Sequence, residues 1–167
     1  MSNSFSQWSA LPVFILVCFA VAGLGSLFTN PEIAGWYETL GKPSWTPPNW
    51  LFGPAWTLLY LSMAVAGWLV WRERGETSVT VPLTIFAVQL ALNLLWSILF
   101  FGQHRTGLAF VEIIFLWAAI LATIIVFWRV SSLAGALLVP YLLWVSFAAA
   151  LNYAVWRPNA YSGLHLH

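Results

Sequence analysis

Apolar residues follow one another in five long runs, which short polar or proline-containing segments separate. The runs cover residues 8–28, 51–71, 79–101, 106–128 and 133–156. Each run has about the 20 residues that an α-helix needs to cross the hydrocarbon core of a bilayer. Because the connections are short, consecutive helices should be antiparallel. The pattern predicts an all-α membrane protein, a five transmembrane helix bundle formed by residues 1–167 as a single domain.

Prolines indicate where several of these helices should begin, bend or end. Pro31 and Glu32 resemble a helix start, so we expect a short surface helix after the first run. Pro140 lies inside the fifth run and should kink that helix or free a carbonyl group. Pro158, directly after Arg157, should end the fifth helix and leave a frayed tail.

The stretch GKPSWTPPNWLFGPAW (residues 41–56) joins the first run to the second and is rich in proline and tryptophan. Proline fixes its own φ and disfavours helix at the preceding residue, so residues 44–49 cannot be a helix interior. Two interpretations remain open. The stretch is a rigid turn that Trp45 and Trp50 anchor in the headgroup zone, or it is a lid that caps an internal pocket.

Composition and charge exclude several classes of protein. Hydrophobic residues make up 61% of the chain and charged residues only 7%, against about 25% in a soluble domain. A net charge of +1 without a basic cluster argues against nucleic acid as a partner.

The first Lys or Arg is Lys42, so we expect the first run to be a retained span and not a signal peptide. In the predicted topology, three Lys or Arg residues fall on each side of the membrane. The positive-inside rule therefore leaves the orientation open.

Polar residues inside the predicted spans carry the most information, because each is costly in lipid unless it is paired or faces the bundle interior. Gln89 and Asn93 share one helical face, which Trp96 and Phe100 continue. Two further polar residues, Glu112 and Asn152, lie in the fourth and fifth spans. These side chains either tie helices together by hydrogen bonds or serve as polar groups in an aromatic pocket.

Small and aromatic residues add to the case for a pocket. Gly23 and Gly25 are places where a helix or a ligand can approach closely. Trp56, Trp96 and Trp144 lie well inside their spans, too deep to be explained as interfacial anchors. No nucleophile–base pair, phosphate loop or metal cluster is visible in the sequence, so we predict no metal site and no conventional acid–base catalysis.

Several motifs in one order identify a family resemblance. They are WY (residues 36–37), KPSWTPP (42–48), GWLVWRERG (67–75), QLALN (89–93), FFG (100–102), PYLLW (140–144) and LNYAVWRPN (151–159). The chain resembles the TspO/MBR family, the tryptophan-rich sensory proteins of bacteria and the mitochondrial translocator proteins. The KPSWTPP and LNYAVWR stretches are the most specific of these motifs.

The resemblance implies a membrane homodimer whose first loop caps a ligand pocket. Family members bind protoporphyrin IX and other tetrapyrroles, benzodiazepine-type drugs and, in mitochondria, cholesterol, and they require no cofactor. The family's pocket tryptophans match Trp56 and Trp144, and its polar pocket residue matches Asn93. Its loop residues match Tyr37 and Trp45. The loose sterol-recognition pattern of the family is met by Leu151, Tyr153 and Arg157.

Three functions follow as hypotheses. The first is a receptor or transporter-like protein that binds tetrapyrroles in a bacterial membrane, with a regulatory or stress-sensing role, and possible sterol or benzodiazepine-type ligands. The second is an enzyme that degrades protoporphyrin IX in light, with Trp56 and Trp144 as its redox residues. The third is a structural membrane protein that recruits partners. The sequence favours the first.

Overall fold

The structure, a computed structural model, describes residues 8–162 of the chain, with side chains up to residue 160. Five long helices and one short helix account for most of this part. The elements are α1 Leu11–Ile33, α2 Trp36–Thr39, α3 Phe52–Arg72, α4 Thr80–Ser97, α5 Thr106–Val130 and α6 Ser132–Ser162. The five long helices are apolar and long enough to cross a membrane. The predicted five-helix membrane fold is confirmed.

Two predicted helix boundaries are wrong. Helix α1 continues through Pro31 to Ile33, and the short helix begins only at Trp36. Helix α6 likewise continues through Pro158 to Ser162. Proline has a helical φ, so a helix can pass through it at the cost of one intrahelical hydrogen bond and a bend, and each of these helices ends within four residues of its proline. The rest of the tail for which the sequence predicts fraying, residues 163–167 with His165 and His167, lies outside the described residues.

Helix α6 carries Pro140 in its interior, as the sequence indicated. In the turn before this proline, the Ser62 hydroxyl of α3 donates a hydrogen bond of 2.6 Å to the Leu137 carbonyl. Hydrogen bonds from a neighbouring helix are one way in which membrane proteins satisfy backbone groups around a proline. This contact therefore ties α3 to α6 in the middle of the bundle.

Three helices pack closely together towards the end of the bundle where α3 finishes. A Cβ atom on Gly67 of α3 would lie 2.8 Å from the Phe14 ring of α1 and 3.2 Å from the Phe86 ring of α4. Nearby, the Phe86 and Phe127 rings stack with centroids 5.5 Å apart. The absence of a side chain at Gly67 is what lets three helices meet here.

At the opposite end, α4 passes into a π-helical turn, Ile98–Gly102. The Gln103 amide donates to the Ile98 carbonyl at 2.8 Å, five residues back. Such turns change which way side chains point, and they are frequent at functional sites. Here the turn directs Phe100 and Phe101 towards the bundle interior, where both are buried.

The Pro/Trp-rich loop between α2 and α3 is attached to the end of α6. The Asn159 side chain accepts a hydrogen bond from the Gly41 amide at 3.1 Å and donates one to the Gly41 carbonyl at 3.0 Å. A turn follows, in which the Thr46 amide donates to the Pro43 carbonyl at 3.0 Å. As predicted, residues 44–48 form no helix. The first end of this loop is thereby held against α6.

Candidate functional site

A cavity of about 410 Å³ lies inside the bundle at the end where the Pro/Trp-rich loop is attached. Helices α1, α3, α4 and α6 form its walls, together with the π-helical turn and Tyr37 of α2. Within the described part of the chain, α5 contributes no residue to the lining. A volume of this size falls in the range of small-molecule binding sites.

Aromatic rings form much of the cavity wall. The three tryptophans that the sequence singled out, Trp56, Trp96 and Trp144, all line it. The Trp56 and Trp144 rings are 6.4 Å apart at 83°, an edge-to-face arrangement. The Trp96 ring stacks on Phe100 with centroids 5.2 Å apart. The cavity therefore presents flat apolar surfaces in more than one orientation.

A buried hydrogen-bond chain crosses the cavity wall through Asn93. The Tyr60 hydroxyl donates to the Asn93 side-chain carbonyl, and the Asn93 amide donates to the Tyr141 hydroxyl, both at 2.7 Å. Asn93 and Tyr60 line the cavity, whereas Tyr141 is fully buried behind them. Asn93 therefore links α3, α4 and α6 and places a polar group in the cavity wall.

Asn152 fixes the position of Trp96. Its side-chain carbonyl accepts a hydrogen bond from the Trp96 indole at 3.0 Å, and its amide donates to the Thr106 carbonyl at 2.8 Å. These bonds connect α4, α5 and α6. Asn152 also lines the cavity, so it serves as a tie between helices and as part of the pocket wall.

The lining contains no charged side chain among the residues that the structure describes. A basic group lies next to one lining residue: the Lys42 ammonium is 4.8 Å from the centre of the Tyr37 ring and donates to the Tyr37 carbonyl at 2.6 Å. Burial raises the pKa of the Tyr37 hydroxyl, so this group stays neutral. An interior of this kind suits an uncharged part of a ligand.

Some residues that the sequence proposed for ligand binding lie elsewhere. Trp45 is half exposed and packs edge-on against Phe147, outside the lining. Of the three sterol-pattern residues, only Leu151 lines the cavity. The Arg157 guanidinium donates to the Tyr153 hydroxyl at 2.7 Å, so these two side chains contact each other. The structure does not bring them to the cavity.

The two remaining polar residues within spans do not line the cavity either. Gln89 is buried and its amide contacts the Met63 sulfur at 3.8 Å. Glu112 is buried, and neither of its carboxyl oxygens has a hydrogen-bond partner among the described residues. The interpretation of Glu112 as a hydrogen-bonded tie between helices is therefore wrong.

Sequence reasoning missed several lining residues, and three groups of them matter for the chemistry of the cavity. Tyr60 lies one helical turn after Trp56 and on the same face, a spacing that could have indicated it. Phe52, at the start of α3, also lines the cavity. The third group is a polar edge of α1, formed by Ser26, Thr29 and Asn30. These residues lie near or beyond the end of the first predicted span, so they were not recognised as polar residues inside a span.

These features define a multi-pass integral membrane protein with an internal, uncharged aromatic cavity. In the described residues, no cluster of His, Cys, Asp or Glu could hold a metal ion. Such a cavity is suited to binding, and the chemistry it offers is stacking with a few hydrogen bonds.

Comparison with known proteins identifies the family. The model of the TspO/MBR family matches residues 14–157. The human translocator protein is 44% identical over 146 residues, which cover 86% of this chain and 84% of the relative. The tryptophan-rich protein TspO of Chlorobaculum tepidum is 45% identical over 160 residues, covering 92% and 98%. Protein CrtK of Rhodobacter capsulatus is 40% identical over 148 residues, covering 88% and 91%. The chain belongs to the TspO/MBR family.

Proposed function

We propose that this protein is a membrane receptor or transporter-like protein that binds a tetrapyrrole, such as protoporphyrin IX, in the cavity. The observation that supports the proposal is an uncharged interior with three tryptophans in its wall. A porphyrin is a flat macrocycle with large apolar faces, and indole rings are suitable partners for those faces. The family resemblance points to the same class of ligand.

The charges of protoporphyrin IX restrict how it can be placed. Its two carboxylates have no cationic partner among the lining residues, and burying an unpaired charge is costly. We therefore place the macrocycle inside the cavity and the carboxylates at the loop end, where water and Lys42 are close. Sterols and benzodiazepine-type ligands, which are largely uncharged, are further candidates for the same interior.

Light-dependent breakdown of protoporphyrin IX is a second candidate function. It is favoured by the closeness of Trp56 and Trp144, whose ring centres are 6.4 Å apart and which both line the cavity. Indole is oxidisable, so either ring could donate one electron to the excited porphyrin, giving an indole radical cation and a porphyrin radical anion. Dioxygen, the oxidant that such a reaction needs, would take that electron to form superoxide. A second electron from the porphyrin would restore the indole and leave the porphyrin oxidised by one electron.

A titration and a bleaching measurement test these proposals together. Quenching of tryptophan fluorescence by protoporphyrin IX measures affinity, and loss of porphyrin absorbance under illumination measures breakdown. The variants are Trp56→Phe and Trp144→Phe, with Trp50→Phe as a control, because Trp50 is exposed and does not line the cavity. For a binding protein, we expect each cavity variant to lose up to about tenfold in affinity, since phenyl keeps an apolar ring.

The outcomes separate the functions. Wild-type protein that binds porphyrin but bleaches it no faster than free porphyrin contradicts the enzyme. Bleaching that disappears in the Phe variants while binding remains supports it. Wild-type protein that binds no porphyrin contradicts both proposals and leaves recruitment of protein partners as the function to pursue.

A further inference from the structure

The cavity has an opening in its side, between α1 and α3. Gly23 of α1 and Gly53 of α3 line the cavity, and both are exposed at the surface of the bundle. A Cβ atom placed on either glycine would meet no described atom within 4 Å. Thr57, one turn after Gly53, also lines the cavity and is exposed. A gap therefore separates the two helices between the levels of Gly23 and Gly53.

The gap is specific to one face of α1. On another face, a Cβ atom at Gly25 would lie 3.4 Å from the Ser97 hydroxyl, so α1 packs closely on α4. The Phe28 ring of α1 approaches the Cβ position of Gly102 to 2.8 Å. Helix α1 also contacts α3 towards the end of the bundle where α3 finishes, which we call the lower end; there Phe14 packs against Gly67. The opening is thus a slit with closed contacts beside it and at its lower end.

The position of the slit along α1 places it within the bilayer. Gly23 lies ten residues before Ile33, the last residue of the helix, which corresponds to about 15 Å at 1.5 Å per residue. The hydrocarbon core is about 30 Å thick, so Gly23 lies near its middle. From Gly23 to Asn30, which also lines the cavity, the slit extends over about 10 Å. Its lower part faces acyl chains.

We propose that the cavity exchanges its ligand directly with the lipid through this slit, so that the ligand is a membrane-dissolved molecule with a flat, uncharged body. The tetrapyrrole identity of that ligand rests on the proposed function, but the route does not. A slit parallel to the helix axes admits a flat molecule edge-first. Polar substituents can stay at the headgroup level, where Asn30 and Gly53 form the upper end of the slit.

The opening can be tested without any ligand. A nitroxide label on Ala148→Cys, in a Cys18→Ala background, places a probe on a residue that lines the cavity. In phospholipid vesicles, dissolved oxygen reports contact with lipid, and a water-soluble nickel chelate reports contact with water. We expect oxygen to relax the label more strongly than the chelate. We also expect Gly23→Leu to reduce the oxygen effect, since the added side chain fills the slit without a clash.

Gly75→Leu is the matched control, because a Cβ there also meets no described atom within 4 Å and Gly75 lies at the other end of α3, away from the slit. It should leave the oxygen effect unchanged. A label reached mainly by the chelate, or by neither reagent, contradicts the proposal. So does an oxygen effect that Gly23→Leu leaves intact.

Ligand exchange is then measured by stopped-flow release of protoporphyrin IX from vesicles of the same composition that hold the unlabelled protein with Ala148 intact. We expect Gly23→Leu to slow release about threefold or more and Gly75→Leu to leave it unchanged. Release that is insensitive to Gly23→Leu but faster in the double variant Pro47→Ala, Pro48→Ala would place the route under the first loop and contradict the proposal. If the wild type binds no protoporphyrin IX, the proposed function fails, and the nitroxide measurement still decides whether the slit opens to lipid.

Discussion

Helices α1 and α3 carry glycines towards both ends of the bundle, and the surroundings of these glycines differ between the two ends. At one end, Gly67 allows α3 to approach α1 so closely that a Cβ atom would lie 2.8 Å from the Phe14 ring. At the other end, a Cβ atom on Gly23 or Gly53 would have no described atom within 4 Å, and both glycines border the cavity. Helices α1 and α3 therefore touch at one end and separate at the other.

The difference shows that the cavity arises from helix divergence. Both ends are apolar and rich in aromatic residues, so composition alone does not distinguish them. Between α1 and α3, what distinguishes the two ends is whether an aromatic ring fills the space that a glycine leaves. At the packed end Phe14 fills it, and at the cavity end a ligand would do so. The packed end should determine stability, and the cavity end should determine binding.

The largest expected effect is on the packed end. Gly67→Val places methyl groups where the Phe14 and Phe86 rings now lie, so at least one helix must shift. We expect a loss of about 2–3 kcal/mol in the free energy of unfolding, seen as a lower midpoint of thermal unfolding in detergent. Gly23→Ala is the control at the cavity end, and its midpoint should be unchanged or slightly higher. Equal losses in both variants would contradict the comparison.

A smaller loss is expected for Asn152→Ala, which acts on both stability and binding. The change leaves the Trp96 indole N–H and the Thr106 carbonyl without their partner, at a cost of about 2 kcal/mol. Because Trp96 is then free to change its orientation, affinity for protoporphyrin IX should fall as well. Thermal unfolding and fluorescence titration measure the two effects. A variant that loses stability but keeps full affinity would show that Trp96 does not contribute to binding.

Glu112 allows a prediction of the opposite sign. Its carboxyl group is buried without a described hydrogen-bond partner and does not line the cavity. Replacing an unpaired buried polar group by an apolar one of similar size should stabilise the protein by about 1 kcal/mol. Glu112→Leu should therefore raise the unfolding midpoint and leave porphyrin affinity unchanged. Destabilisation by Glu112→Leu but not by Glu112→Gln would reveal a hydrogen-bonding role for this side chain.

The smallest effect is expected at the contact between α1 and the α4–α5 connection. The His104 imidazole lies 3.0 Å from the Glu32 carboxylate and stacks on the Trp36 ring at 4.0 Å. Both polar groups are partly exposed, so Glu32→Gln should cost less than about 1 kcal/mol. The unfolding midpoint at low and high salt checks this prediction. A loss that is larger and insensitive to salt would mean that the contact holds the cavity end together.

Much of the site could be predicted from the sequence, because depth within a span is readable from residue number alone. The positions of Trp56, Trp96 and Trp144 inside apolar runs indicated an aromatic interior, and all three line the cavity. Asn93 was indicated by its face, which it shares with Trp96. These inferences use only the helical period and the cost of polar groups in lipid.

Features that depend on the packing of different helices could not be predicted in the same way. The helical period does not show that Tyr141 of α6 meets Asn93 of α4, or that Glu112 lacks a described partner. Helix α1 passes through Pro31 and ends two residues later, although a proline followed by an acidic residue is typical of a helix start. Gly23 was recognised as a place of close approach, but the gap beside it depends on the angle between α1 and α3.

The most direct test of the central claim is to fill the cavity and measure binding. Ala148 lines the cavity, and Ala148→Trp would occupy much of the space between the tryptophans. Leu143→Trp is the control, because Leu143 lies on the same helix with its side chain exposed to lipid. Both variants should first be shown to be folded by their thermal unfolding. We expect Ala148→Trp to abolish protoporphyrin IX binding and Leu143→Trp to retain wild-type affinity. A folded Ala148→Trp protein that binds protoporphyrin IX as tightly as the wild type would contradict the account.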